Sequence, residues 1–168
     1  NKKDTLKLIG KNISDKQLSE AIPLMGTDLE HISKHEIEVE IFPNRPDMLS
    51  EEGFARAMSS FLGIKTGLKT YKVNKSNYKY KVDSKVKSVR PYCTAAVVKG
   101  LKFNKDSLLS LMNLQDKLHT THGRNRKKVA MGVHDLSKIR FPLTYTTKPK
   151  SFKFRALEDR QEKTIQRI

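Results

Sequence analysis

Positive charge is distributed very unevenly along this 168-residue chain. Residues 1–67 contain nine Lys and Arg against eleven Asp and Glu, whereas residues 68–168 contain twenty-five against seven. Because like charges at this density repel and must stay hydrated, the second part has to carry an extensive basic surface. The asymmetry predicts two modules, of which only the second faces a polyanion such as nucleic acid. A general enrichment in surface lysine is the alternative explanation.

Capping residues predict three helices in the first part. One helix ends at Gly10, and Ser14 with Gln17 has the spacing of a capping box for the next. Ser50 precedes a third helix that begins with two glutamates, where acidic side chains favour the helix dipole. Gly63 is suited to the position just after that helix. These signals predict a small helical module over residues 1–64.

One strand and one turn complete this module. The segment EIEVEIFP, residues 36–43, alternates apolar and acidic side chains, which predicts a half-buried strand with one acidic face. Two prolines then restrict the backbone. The predicted structural turn consists of Asn44, Arg45, Pro46 and Asp47. The module is therefore predicted as helix–helix–strand–helix, followed by a polar linker at residues 65–78.

The patterns within residues 79–168 predict a domain with both helices and strands. The predicted fold class of the whole chain is therefore α+β. Residues 105–121 have an apolar stripe and form the best helix of this part. Gly123 is a natural stop for it. Residues 157–168 resemble a charged helix. The predicted strands are YKYKVDSK (78–85), CTAAVVKGL (93–101), KVAMGVHDL (128–136) and FPLTYTT (141–147).

Few patterns indicate chemistry by themselves. The chain has neither a GxxxxGK[ST] nor a GxGxxG loop, so nothing predicts a nucleotide site. His31 and His35 have i,i+4 spacing but precede a strand without a cysteine cluster, which disfavours zinc. Cys93 is predicted to be a small core residue. His119 and His122 are predicted to be surface histidines. No apolar run approaches the roughly 20 residues that a membrane span needs.

The run of four cations within residues 124–128 has two explanations. Cations after a helix C-terminus favour the helix dipole and hydrate well, which would make this a solvated turn. Arginine also binds phosphate through its bidentate fork, which would make it a phosphate-binding site. The residues alone do not separate the two explanations.

Four blocks resemble one family in the same order. They are FPNRPDMLSEEGFARAMSSFLGI, VRPYCTAAVVKGL, LQDKLHTTHGRNRKKVAMGVHDLSKI and FPLTYTT. Together they are similar to the N-terminal part of the phenylalanyl-tRNA synthetase β subunit of the archaeal and eukaryotic type. The resemblance covers nearly all of the chain. Family β subunits are several times longer, so we expect this chain to be part of a longer protein.

The resemblance implies a cytoplasmic, ATP-dependent ligase that attaches phenylalanine to tRNA(Phe). It implies an α2β2 heterotetramer in which the α subunit holds ATP, Mg²⁺ and phenylalanine, so no cofactor or metal is expected in this chain. It also implies that residues 79–168 are the first part of an editing domain that hydrolyses mischarged Tyr-tRNA(Phe). We expect the chain alone to be inactive.

The resemblance also suggests which residues act. His134 is the best titratable candidate for editing, and Asp135 either orients it or caps the next turn. A structural histidine bonded to backbone is the alternative for His134. The residues predicted to contact tRNA are Arg90, Lys117, Arg124, Arg126, Lys127 and Lys128.

A different class of function stays open. In it, this region is a non-catalytic RNA-binding or assembly module, whose basic half holds tRNA phosphates while the acidic module packs on other domains. The two hypotheses differ in whether His134 lines a cavity or lies on a basic surface.

Overall fold

The computed structural model describes residues 1–156 and 159–165, and it confirms the α+β class. Its helices are α1 (Lys2–Ile9), α2 (Asp15–Leu24), α3 (Glu51–Phe61) and α4 (Lys105–Thr120). Its strands are β1 (Asp28–Ile32), β2 (Ile37–Glu40), β3 (Tyr80–Val82), β4 (Leu143–Tyr145), β5 (Lys153–Phe154) and β6 (Lys163–Thr164). In the described ranges the strands pair two by two: β1 with β2 and β5 with β6 antiparallel, and β3 with β4 parallel.

Backbone contacts divide the chain into two compact units. The first consists of residues 1–72 and 101–133, and the second of residues 73–100 and 134–168. The predicted linear division, with a module at 1–64, a linker at 65–78 and a domain at 79–168, stays a prediction.

The apolar core of the first unit lies within its N-terminal segment. Its helices begin and end where the capping residues predicted: Ser14 and Gln17 form a reciprocal capping box on α2, and the Ser50 side chain accepts from the Gly53 N–H at the start of α3. Leu18 of α2 and Met58 of α3 are fully buried. The other buried apolar residues of this core are Ile9, Ile13, Ala21, Ile22, Met25, Met48, Phe54 and Ala55.

A β-hairpin covers part of this core. In β2, Ile37 and Val39 are half-buried and pack on the core, whereas Glu38 and Glu40 are exposed, as the alternation predicted. Its partner β1 was not predicted, because the apolar residues of DLEHI do not alternate regularly. A register irregularity between Leu29 and His31 interrupts the pairing.

The second unit is built around the short β3–β4 pair. The Asp83 carboxylate, just after β3, accepts a hydrogen bond of 2.8 Å from the hydroxyl of Thr146, just after β4. The predicted strands over 93–101 and 128–136 are wrong, because these residues have no regular secondary structure apart from the start of a 3₁₀ turn at Leu136. The predicted C-terminal helix is also wrong where it can be judged, since Lys163–Thr164 is strand β6. Residues 157, 158 and 166–168 lie outside the described residues.

Helix α4 forms where the sequence predicted it. Asn104 and Ser107 make a reciprocal capping box at its start. Its apolar stripe is only partly covered, since Leu108 is 47% and Met112 53% exposed. The stripe therefore contributes less burial than its periodicity suggests.

Candidate nucleic-acid interface

The basic run forms an unusual turn directly after α4. Arg124, Asn125 and Arg126 have φ values of 49°, 55° and 64°, so three consecutive residues with side chains adopt the left-handed conformation. Each arginine in that conformation costs about 1 kcal/mol or more, whereas asparagine tolerates it better. A flexible solvated loop would relax out of this conformation. Interactions elsewhere in the turn must therefore hold it, and we call residues 123–128 the basic turn.

The buried side chain of His119 supplies part of these interactions. It belongs to the last turn of α4 and is only 4% exposed, so its predicted surface position is wrong. Its Nδ1 lies 3.0 Å from the Nε donor of Arg126, and its Nε2 lies 2.8 Å from the backbone N–H of Met131. A neutral imidazole accepts through one nitrogen only, so at any moment it accepts from one of these donors, and a protonated ring accepts from neither. His122 is exposed, as predicted.

Because Gly123 has no side chain, the backbone at Val129 can come close to the C-terminal end of α4. A Cβ at this position would lie 2.6 Å from the carbonyl oxygen of Val129 and 2.8 Å from that of His119, which is closer than real Cβ contacts. The φ of Gly123 is not positive, so the left-handed helix stop that the sequence suggested is wrong. Glycine is needed here because the two carbonyl oxygens lie so close.

The basic turn uses its own amide groups internally. Backbone N–H groups of Gly123, Arg124, Asn125 and Arg126 donate to carbonyls of residues 118–121, and those of Lys127 and Lys128 donate within the turn. An anion can therefore be bound only by the side chains. Arg126 is engaged on one side by His119 and by the Asp116 carboxylate at 3.5 Å. Exposed side chains of Arg124, Lys127 and Lys128 project from the turn, and Lys117 is exposed on α4.

The sixth predicted RNA-contacting residue, Arg90, belongs to the second unit. It is half-buried, and its backbone N–H donates to the Val86 carbonyl at the end of a 3₁₀ turn. The structure thus gathers five of the six predicted cations on α4 and the basic turn.

His134 and Asp135 also lie in the second unit. Asp135 caps the 3₁₀ turn Leu136–Lys138, accepting from the Ser137 hydroxyl at 2.8 Å and from the Ser137 N–H at 3.0 Å. These hydrogen bonds lower the pKa of the Asp135 carboxyl. His134 is exposed, and among the described residues none hydrogen-bonds its ring. Of the two roles predicted for Asp135, the geometry shows the cap.

The turn at residues 44–47 is held by an ion pair. Arg45 donates to both carboxylate oxygens of Asp47, at 3.0 and 2.9 Å, and to the carbonyl of Met25 at 3.2 Å. The hydrogen bond from the Arg45 side chain lowers the pKa of Asp47. Asn44 is exposed and Pro46 begins a 3₁₀ turn. The arrangement connects the end of α2 to the segment that enters α3.

The Asp47→Asn substitution should show what the charge of this pair contributes. A carboxyl whose pKa is lowered by folding stabilises the fold above its unfolded pKa of about 4, and that stabilisation is lost as the pH falls through the folded pKa. Because the Asp47 side chain is 45% exposed, solvent screening limits the effect to about 0.5 kcal/mol at pH 7. Urea unfolding from pH 7 to pH 2.5 checks it, and a wild-type–variant difference that persists at pH 2.5 contradicts it.

Comparison with known proteins identifies relatives of this chain. No protein-family model matches the chain. A phenylalanine–tRNA ligase β subunit from Archaeoglobus fulgidus is 46% identical over 147 residues, or 88% of this chain. One from Methanothrix thermoacetophila is 50% identical over 127 residues, or 75% of this chain. A crystal structure of an N-terminal fragment of the phenylalanyl-tRNA synthetase β subunit from Pyrococcus horikoshii has a TM-score of 0.84 and 36% identity over 99% of this chain.

The chain belongs to the phenylalanine–tRNA ligase β-subunit family. The resemblance found in the four sequence blocks is thereby confirmed. The chain spans only 27% of the length of the Archaeoglobus β subunit and 49% of the Pyrococcus fragment.

Two side chains of this β-subunit homologue differ in burial from what their sequence context predicted. Cys93 is exposed rather than buried, and its Sγ lies 3.0 Å from the hydroxyl of Tyr80. That hydrogen bond raises the pKa of Tyr80 to about 12. His119 is the second, and its position three residues before His122 carried no local sign of burial.

In the described part of this family member, no group of three or more His, Cys, Asp or Glu side chains lies close enough together to hold a metal ion. His31 and His35 are both exposed.

Two clefts of about 610 and 280 Å³ lie on the N-terminal segment, and neither includes His134. No described helix is long and apolar enough to cross a membrane.

Proposed function

We propose that this chain is part of the β subunit of a cytoplasmic phenylalanine–tRNA ligase, which charges tRNA(Phe) with phenylalanine using ATP. The observation that carries the proposal is 46% identity to the Archaeoglobus β subunit over 88% of this chain. The agreement in fold with the Pyrococcus β-subunit fragment supports it.

In this proposal the chain works in an α2β2 heterotetramer. ATP, Mg²⁺ and phenylalanine are held by the α subunit, as the family resemblance implies. The chain's contribution is to tRNA binding and editing.

The test is ATP-dependent attachment of labelled phenylalanine to tRNA(Phe) by the full-length subunit, co-expressed with the α subunit. We expect co-purification in equal amounts and charging with phenylalanine. A full-length subunit that purifies alone, or a complex that charges a different amino acid, would contradict the proposal.

The basic turn is proposed to contact tRNA phosphates. Its cations are exposed on a backbone closed by its own hydrogen bonds, so little ordering of the loop is needed on binding. Lys117 extends the same basic surface along α4, and Arg90 is a candidate contact from the second unit. Arginine and lysine at this density favour a polyanion over a neutral ligand.

Editing of mischarged Tyr-tRNA(Phe) is proposed for the domain to which residues 79–168 contribute. Hydrolysis of the ester adds water to the carbonyl carbon and releases tyrosine and the 3′ hydroxyl of the tRNA. The reaction needs a positioned water and a group that accepts its proton. His134 is the candidate for that group, since its ring is exposed and unengaged within the described residues. Asp135 holds the adjoining turn.

A non-catalytic RNA-binding or assembly role is the second candidate. The observation that favours it is the position of His134, which is exposed in a segment without regular structure and outside both clefts. In that case the basic turn would still bind tRNA, but His134 would make no contribution to hydrolysis.

Salt dependence tests the RNA-binding role of the basic turn. Replacing Arg124, Lys127 and Lys128 together with alanine in the full-length enzyme should weaken tRNA(Phe) binding. The slope of log K against log salt should fall by about one for each phosphate that is no longer bound, because fewer counterions are released. Filter binding between 50 and 300 mM KCl measures it.

The control for this experiment is a triple alanine variant of exposed lysines in the N-terminal segment, Lys3, Lys7 and Lys11, which removes the same charge elsewhere. We expect it to keep the wild-type slope. An unchanged slope in the basic-turn variant would return that turn to the solvated-turn explanation.

A further inference from the structure

We infer that His119 is a positioning residue for tRNA binding: it holds Arg126 and thereby fixes the basic turn in the conformation that presents its cations. This inference rests on the proposed contact between the basic turn and tRNA. It concerns a residue that makes no contact with the RNA itself, because its side chain is 4% exposed.

Backbone hydrogen bonds close the basic turn but leave the direction of its side chains open. Arg124 and Arg126 are both held at positive φ, a conformation that arginine rarely adopts. Hydrogen bonds from the turn's amide groups close the backbone, but they do not fix the direction of any arginine side chain. A side-chain interaction is therefore needed to orient Arg126 within this turn.

His119 lies where both ends of the turn meet. Its Nδ1 faces the Arg126 guanidinium at 3.0 Å, within the turn. Its Nε2 faces the Met131 N–H at 2.8 Å, beyond the turn. The ring is buried, and Gly123 packs closely against the His119 backbone because it has no side chain. The imidazole therefore has little freedom to move away from either donor.

Charge holds Arg126 from a second direction. Asp116 pairs with Arg126 at 3.5 Å, so in the His119 tautomer protonated at Nε2 the guanidinium lies between a carboxylate and the Nδ1 acceptor. These two partners orient the Arg126 guanidinium, although its side chain is 62% exposed. The cations of the turn are then spaced before RNA arrives, which lowers the entropic cost of binding.

The experiment uses the full-length enzyme and unmodified tRNA(Phe) transcript. His119→Ala should raise the Kd about tenfold at 100 mM KCl and reduce the salt slope by about one, since a displaced turn binds one phosphate fewer. A histidine that only stabilises the fold would lower the fraction of folded protein, which scales the apparent affinity equally at all salt concentrations and leaves the slope unchanged. An unchanged slope therefore overturns the inference.

A double-variant cycle tests the route through Arg126. If His119 acts by holding Arg126, then His119→Ala should have no further effect on affinity in an Arg126→Ala background. Additive effects would overturn that route. His119→Asn gives a second variant in case the alanine variant folds poorly, because its amide oxygen lies near the Nδ1 position and can accept from Arg126. It should restore most of the wild-type slope, and failure to do so in folded protein counts against the inference.

His122→Ala is the matched control, since His122 is exposed three residues further along the chain. We expect wild-type affinity and slope from it. The triple basic-turn variant distinguishes failure of the proposed RNA contact from failure of the role inferred for His119. If that variant retains the wild-type slope, then the proposed RNA contact has failed. If its slope falls while the slopes of the His119 variants do not, then only the inference has failed.

Discussion

Replacing His134 with alanine in the full-length heterotetramer is expected to slow hydrolysis of Tyr-tRNA(Phe) by about 10²–10⁴-fold, the usual contribution of a general base. Charging with phenylalanine should stay near the wild-type rate, because the synthetic site is proposed to lie on the α subunit. The deacylation rate, normalised to folded protein, and the charging rate are the two measurements.

The exposure of His134 distinguishes a catalytic role from the alternative of a structural histidine bonded to the backbone. A histidine bonded to the backbone would lower stability when replaced, and so reduce editing indirectly. His134 is exposed and, within residues 1–156 and 159–165, has no hydrogen-bond partner. Its replacement should therefore change the free energy of unfolding by no more than about 0.5 kcal/mol. A loss of editing could then not be assigned to unfolding.

The matched control is His31→Ala, which removes another exposed histidine, in the β-hairpin of the N-terminal segment. It should edit at the wild-type rate. Wild-type editing by His134→Ala, at an unchanged melting temperature, would remove His134 from the mechanism and favour the RNA-binding or assembly role.

Replacing Gly53 with alanine should destabilise the N-terminal segment by about 3 kcal/mol, at the upper end of the cost of overpacking. An added Cβ would overlap the backbone carbonyl oxygen of Asp47 and lie 3.3 Å from Oγ of Ser50. A backbone oxygen cannot move aside as a flexible side chain would. Either α3 or the 3₁₀ turn before it must shift, which would disturb the buried Met48 and the pair of Arg45 with Asp47.

Two opposing effects decide the sign of this change. Alanine is favoured over glycine inside a helix by about 1 kcal/mol, which would stabilise α3 if the site were open. The steric clash is larger, so the net effect is destabilising. Thermal unfolding followed by far-ultraviolet circular dichroism measures it, and a melting temperature at or above that of the wild type would contradict it.

Gly63→Ala provides the comparison. Gly63 has a φ of 69° but nothing within 4 Å of an added Cβ, so its substitution carries only conformational strain. We expect a destabilisation of about 1 kcal/mol. We expect the larger loss at Gly53, because the clash with the Asp47 carbonyl costs more than the strain at Gly63.

Several parts of this protein follow from short stretches of sequence. Ser14 with Gln17 and Ser50 with its following glutamates mark the starting points of α2 and α3, and both caps form as predicted. The alternation in residues 37–41 determines the buried and exposed faces of β2. Four ordered sequence blocks indicated the family. All of these signals are carried by consecutive residues, because a cap or an alternating pattern involves only near neighbours.

Other features depend on residues that are distant in the chain. Residues 93–101 and 128–136 are apolar enough to suggest strands, yet they form none, because a strand also requires a partner with unpaired backbone groups. Strand β1 is the converse case: its own pattern is weak, and pairing with β2 creates it.

In the candidate interface, too, some features follow from neighbouring residues and others from residues that are distant in the chain. The sequence determined that residues 124–128 are strongly basic, and it identified His134 as the titratable candidate. Only the tertiary structure decided that His119 is buried, since this depends on the return of the chain to Met131, twelve residues further on. It also decided the left-handed turn, because a single arginine prefers negative φ and only hydrogen bonds across the turn can hold three residues against that preference.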